Sequence, residues 1–325
     1  MHWAVKLKVK SKNNRIVILD IWRGLAIIGV VIYHFAFDLR LLEFIQTDVT
    51  QHLPWVVFAR VLAGSFLMLT GISLVLAHGE GVRWRVFFLR VFIISGAALL
   101  ISIATFFAYP DMFVYFGILH AIALFSILAL PFLIVPLWLV SISAVLVLSL
   151  PFVYSNPFFN DKIFSWIGFW QTPPFTADLV PIFPAFGATL LGVFFARTIL
   201  KYNLFKNISN ISFKGVWVRF LKFASKWSLL IYLVHQPILL AILYPVAAIV
   251  KPAELTKQQA FYEACFGSCI NISGSAINCT AYCQCSKEQV EQGDLWEIIT
   301  QPVLTKWQSQ TISSISKLCR AISQD

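Results

Sequence analysis

Seven stretches of predominantly apolar residues, roughly 16–37, 55–77, 86–107, 113–131, 133–153, 178–196 and 228–250, constrain this chain more than any other feature. A hydrocarbon core about 30 Å thick is crossed by a helix of about 20 such residues. In lipid, a spanning segment must satisfy its backbone groups internally, which leaves helices and closed barrels. The expected fold is all-α, a polytopic integral membrane bundle of about seven spans with a small cysteine-rich helical C-terminal tail. Composition agrees: 59% of residues are hydrophobic and 12% charged, whereas soluble domains carry about a quarter charged. The link from Pro131 to Pro136 leaves open whether spans four and five are two helices or one broken element. The first stretch carries Asp20 and Arg23 with no small-residue cleavage site after it, so it reads as a span and not as a cleavable leader.

The formal charge is +10, and its distribution points to topology and not to nucleic acid. Basic residues gather in the N-terminal arm (Lys6, Lys8, Lys10, Lys12, Arg15), after span two (Arg83, Arg85, Arg90), and after span six (Arg197, Lys201, Lys206, Lys214, Arg219, Lys222, Lys226). The alternate loops are acidic, with Asp38, Glu43, Asp48, Asp111, Asp161 and Asp178 against Arg40 and Lys162. The positive-inside rule then puts the N-terminus in the cytoplasm and the tail outside. The expected organisation is a basic arm over 1–15, a transmembrane domain over 16–250 and an extracytoplasmic tail over 251–325.

That tail holds all six cysteines. Cys265/Cys269 and Cys279/Cys283 are each spaced i,i+4, which places each pair on one helix face. The intervening Asn271 to Ser275 reads as a turn. Two antiparallel helices stapled by Cys265–Cys283 and Cys269–Cys279 are expected, in an oxidising compartment. C-x3-C spacing with no tail histidine is a poor zinc pattern, and no metal is expected. Cys285 and Cys319 are left open between a third bridge and free thiols.

Ionisable groups inside spans are costly and point to function. The first span carries Asp20, Arg23, His34 and Asp38. At about 100° per residue, Arg23 and His34 lie within about 20° of one face, and Asp20 and Asp38 are five turns apart. Such a polar stripe must face protein or water. Asp20 and Arg23 can alternatively pair at i,i+3 as simple anchors. His34 is the candidate catalytic base, with Asp38 at i,i+4 to orient it. Arg60, His120 and His235 read as further buried polar groups, His34 and His120 toward the outer side and His235 nearer the inner one. Each of these also has a plain structural reading; His235 beside Pro237 can re-satisfy freed carbonyls. The Phe-, Trp- and Pro-rich segment Pro151 to Pro184 reads either as interfacial anchoring or as a lid whose rings stack on sugar faces.

Several runs together resemble a known family: Arg15-x3-Leu19-Asp-x2-Arg-Gly-Leu-Ala-Ile27, His34-Phe-x2-Asp-Leu39, Phe66-Leu-x2-Thr-Gly-Ile-Ser73, Tyr115-Phe-Gly-Ile-Leu-His120, Asp178-Leu-Val-Pro-Ile-Phe-Pro-x-Phe-Gly187 and Ser228-Leu-Leu-Ile-Tyr-Leu-Val-His-Gln-Pro237. In order and over roughly 15–245, they resemble the bacterial heparan-alpha-glucosaminide N-acetyltransferase catalytic-domain family. Arg23 and His34 also match the Arg-x10-His spacing of acyltransferase family 3. The animal branch has Asn where His34 stands and an essential histidine in the next loop, where this chain offers His52.

The resemblance implies a membrane-embedded acyltransferase of a bacterial inner membrane. It would move an acetyl group from acetyl-CoA to a hydroxyl or amine of a sugar-like or lipid-linked glycan acceptor. His34 and Asp38 would be catalytic, with Arg23, Asp20 and His235 toward the donor and His120, Arg60 and Asp178 toward the acceptor. Homo-oligomerisation stays open. The rival reading is a transporter or flippase using the stripe as a substrate or proton path, although no inverted repeat is visible. A scaffold acting through the cysteine tail is a third.

Overall fold

The computed structural model describes residues 16–79, 81–202, 215–273, 276–299, 301 and 305–322. The basic arm expected over 1–15, together with Lys206 and Lys214, lies outside the described residues. In chain order the helices are α1 (Val17–Leu41), α2 (Leu53–His78), α3 (Trp84–Ala108), α4 (Ile118–Leu128), α5 (Leu137–Val153), α6 (Lys162–Ser165), α7 (Ile182–Lys201), α8 (Val216–Lys226), α9 (Ser228–Val250), α10 (Pro252–Ser273), α11 (Ala276–Gln292), α12 (Trp296–Ile299) and α13 (Lys306–Ile322). No strand occurs among the described residues; one parallel bridge joins Phe116 to Leu179. Two compact units result, one of Met1–Phe37 with Asp48–Leu240, the other of Asp38–Thr47 with Ala241–Asp325.

Five helices, α1, α2, α3, α7 and α9, are long and apolar enough to cross a membrane, and α4 and α5 are shorter apolar helices. The region expected as span four is thus an eleven-residue helix, which rises only about 16 Å. Proline explains the break. Pro131 opens a 3-10 turn over Pro131–Leu133, and Pro136 caps the start of α5, since proline has no N–H to continue a helix. The Pro131 to Pro136 question therefore resolves into two separate helices. Arg197 of α7 donates to the Phe132 and Val135 carbonyls at 2.8 and 2.6 Å, satisfying acceptors that the break exposes. Span six begins at Ile182 instead of 178, because residues 177–180 pair with the chain before α4: Ala177 N–H bonds Met112 O, and Val180 N–H bonds Phe116 O.

In the first unit α7 is the central helix, packed along both α2 and α5. A Cβ at Gly71 of α2 would collide with the Thr189 carbonyl of α7, and one at Gly192 of α7 with the Met68 carbonyl of α2. Small residues that let backbones touch are what hold helices together where lipid is as apolar as leucine. Around this crossing lie Leu67, Leu74, Phe125, Val140, Leu190 and Val193, all at most 2% exposed. Gly24 of α1 is pressed against the Leu221 backbone of α8 in the same way.

The second unit is closed by three disulfides: Cys265–Cys283, Cys269–Cys279 and Cys285–Cys319. The first two are the staple expected from the i,i+4 spacing, joining α10 to α11. The third, which the spacing leaves open, ties α13 to α11. Its Cα–Cα distance of 5.5 Å is ordinary for a disulfide.

Candidate functional site

The polar stripe of α1 meets a different helix at each level. Asp20 accepts a hydrogen bond from Ser225 Oγ of α8 at 3.2 Å. Arg23 donates to Ser73 Oγ of α2 at 3.1 Å. His34 meets His235 of α9, ring centroids 4.8 Å apart and inclined at 66°. Asp38, one turn further along α1, is fully buried.

The pairing of His34 with His235 corrects the expectation that they lie at opposite sides of the membrane. Counting depth from Ser228 as the membrane edge puts His235 near the inner side. Ser225, close before the start of α9, already bonds Asp20 near the start of α1. From that contact, fourteen residues lead from Asp20 to His34 and ten from Ser225 to His235.

The backbone sets the tautomer of His235. Its Nδ1 faces the carbonyls of Tyr232 and Ile231 at 2.8 and 3.2 Å, so Nδ1 carries the hydrogen and Nε2 is the lone-pair nitrogen. That Nε2 is buried with no hydrogen-bond partner among the described residues. Tyr33 and Tyr232 complete the cluster, each with a ring centroid 5.7 Å from its imidazole neighbour, His34 and His235 respectively. Neither tyrosine stands out in the sequence on composition. The available signal is spacing, since Tyr232 precedes His235 by three residues and shares its helix face.

Asp178 sits where this cluster meets the N-terminus of α4. Its Oδ2 accepts from the Ile118 N–H at 2.8 Å, placing a carboxylate where a helix start favours negative charge. It lies close enough to Tyr33 and Tyr232 to act on both electrostatically. Burial raises its carboxyl from 3.8 to about 6, with the Ile118 N–H pulling the other way. His120 has both ring nitrogens engaged: Nδ1 accepts from Gly117 N–H at 3.2 Å, and Nε2 faces Ser102 Oγ at 3.2 Å. Its ring forms part of the wall of a cavity of about 770 Å³ that Phe113, Tyr115, Phe116, Lys162 and Trp166 also line. Phe116 packs between the His120 ring and Trp166.

Residues 15–237 match the family described as heparan-alpha-glucosaminide N-acetyltransferase, catalytic. The chain belongs to this family. Membership implies membrane acetyltransferase activity and lends no support to the transport reading. The matched region contains Asp20, Arg23, His34, Asp178 and His235, and it ends before Cys265, the first of the disulfide cysteines. No curated protein and no solved structure matches the chain.

Two arginines differ from their sequence reading. Arg60 is not buried; it is exposed on α2, on the face shared with Val57 and Val61. Within a membrane, an apolar neighbourhood in sequence does not distinguish a lipid-facing side from a protein-facing one, and a long arginine on the outer side can extend to the interface. Arg90, counted among the loop charges, lies inside α3 and is close enough to Arg23 to interact with it electrostatically.

Proposed function

We propose that this family member transfers an acetyl group from acetyl-CoA to a hydroxyl or amine of a sugar-like acceptor, and that the chemistry runs at the His34–His235 pair. The single observation that carries the reading is the buried Nε2 of His235, fixed as a proton acceptor by its Nδ1 contacts and set against a second imidazole. A general base needs an oriented lone pair within reach of the hydrogen it removes. In this scheme the acceptor's O–H or N–H proton passes to the imidazole pair as its oxygen or nitrogen attacks the thioester carbonyl. The C–S bond then breaks, and the proton leaves on the CoA thiol. Asp38, buried one turn beyond His34 on α1, would support charge on the His34 ring.

Arg23 and Arg90 suit the donor's phosphates. Two guanidiniums near enough to act on each other are stabilised by an anion between them, and arginine forks match phosphate oxygens. Along α1, Arg23 and His34 are separated by about 16 Å of rise, a span the extended pantetheine arm can cover. Asp20 holds this end in place through Ser225. For the acceptor, the cavity beside α4 offers flat aromatic surfaces at Phe113, Phe116 and Trp166, with the His120 ring as wall and Asp178 ordering the start of α4. Arg60, exposed on α2, has no part in this scheme.

The test is purified protein in nanodiscs with acetyl-CoA and glucosamine-type acceptors, read by CoA thiol release and mass of the acceptor. Acetylated acceptor formed in step with free CoA is the expected result. Folded protein that neither binds nor consumes acetyl-CoA would overturn the proposal.

A further inference from the structure

The Ala241–Asp325 part of the second unit lies beyond the family match and has a half-open cavity of about 630 Å³, within the range of about 300–1,000 Å³ usual for small-molecule sites. Its walls are chiefly apolar, with Phe261, Val290, Ile312 and Ile315 among them. Polar residues line it as well. Ser286 also lines the cavity; it is only 6% exposed, and its Oγ has no hydrogen-bond partner among the described residues. A buried hydroxyl without a partner costs stability and calls for an explanation. Arg320, a cation, is also among the lining residues. Ser286 follows Cys285 and Arg320 follows Cys319, and these two cysteines are bonded to each other with their Cα atoms 5.5 Å apart. The disulfide therefore ties together the chain positions next to Ser286 and Arg320, and both residues line the cavity.

We propose that the cysteine-rich unit binds a single-chain fatty acid, its hydrocarbon in the cavity and its carboxylate at Ser286 beside Arg320. The apolar wall suits a methylene chain, and the hydroxyl supplies the hydrogen bond that a carboxylate accepts. This site is independent of the acetyl-transfer reading, since none of its residues belongs to the first unit.

The full-length protein in nanodiscs would be irradiated with a diazirine-bearing palmitate and digested, and the labelled peptides identified by mass spectrometry. Label on peptides from residues 261–320 is expected, displaced by unlabelled palmitate but not by palmitoyl methyl ester at equal concentration. Ser286→Ala should weaken displacement by palmitate on the order of tenfold, the usual effect of losing a hydrogen bond to a charged group. Ile315→Trp, which fills the cavity, should abolish tail labelling while intact mass shows the three disulfides still formed. Label confined to the membrane-spanning peptides, or tail label unchanged in Ile315→Trp, would overturn the proposal.

Discussion

The Nδ1 hydrogen of His235 is held by the carbonyls of Tyr232 and Ile231, and Asp178 is held by the N–H of Ile118; in both cases a backbone group sets the state of a side chain. For Asp178 the consequence is a measurable pH dependence. Its carboxyl is raised from 3.8 to about 6 by burial, so between these values the folded protein keeps a proton that the unfolded chain has released. Stability then falls as pH rises through about 4 to 6. In detergent, the thermal midpoint of the wild type should decline relative to Asp178→Asn across that window, read by intrinsic fluorescence. Parallel curves for the two proteins would contradict the assignment. Much at this scale was legible in the sequence. Asp20, Arg23 and His34 share a helix face by arithmetic, and that face does meet protein. Their partners Ser73, Ser225 and His235 were not legible, because each comes from a distant part of the chain and no local pattern encodes the contact. Arg60 misled for a related reason: in a membrane both sides of a helix are apolar, so periodicity does not tell inside from outside.

The crossing of α2 and α7 depends on Gly71 and Gly192, each facing the other helix's backbone. Gly71→Leu should force the pair apart, lowering the thermal midpoint and broadening the size-exclusion peak in detergent. Gly96→Leu on α3 is the matched control, since nothing lies within 4 Å of a Cβ there, and it should behave as wild type. Equal behaviour of the two variants would show that the crossing is not what holds these helices. Element existence was readable from apolar length, and the short α4 was not. The residues before it, 112–116, bond the segment at 177–180 instead of joining the helix, a long-range choice invisible to a hydropathy window. The two-helix staple in the second unit was readable because i,i+4 cysteines must share a face. The Cys285–Cys319 bridge was not, since α13 can present Cys319 in several directions before packing decides.

Across the whole molecule, the region matched to the family, residues 15–237, is followed by a disulfide-closed segment that the match does not cover. If all six cysteines are bonded as described, iodoacetamide should add nothing to the unfolded, unreduced protein and six groups after reduction, read by intact mass. Any alkylation before reduction would contradict that arrangement. Acetyl transfer at the paired imidazoles is the central claim, and the most direct measurement is the turnover of His235→Gln beside wild type at saturating acetyl-CoA. A glutamine keeps much of the volume but removes the ring lone pair. Turnover should fall by about 10²–10⁴-fold, the usual contribution of a general base, with acetyl-CoA still bound. A folded His235→Gln protein that turns over near the wild-type rate would contradict the account.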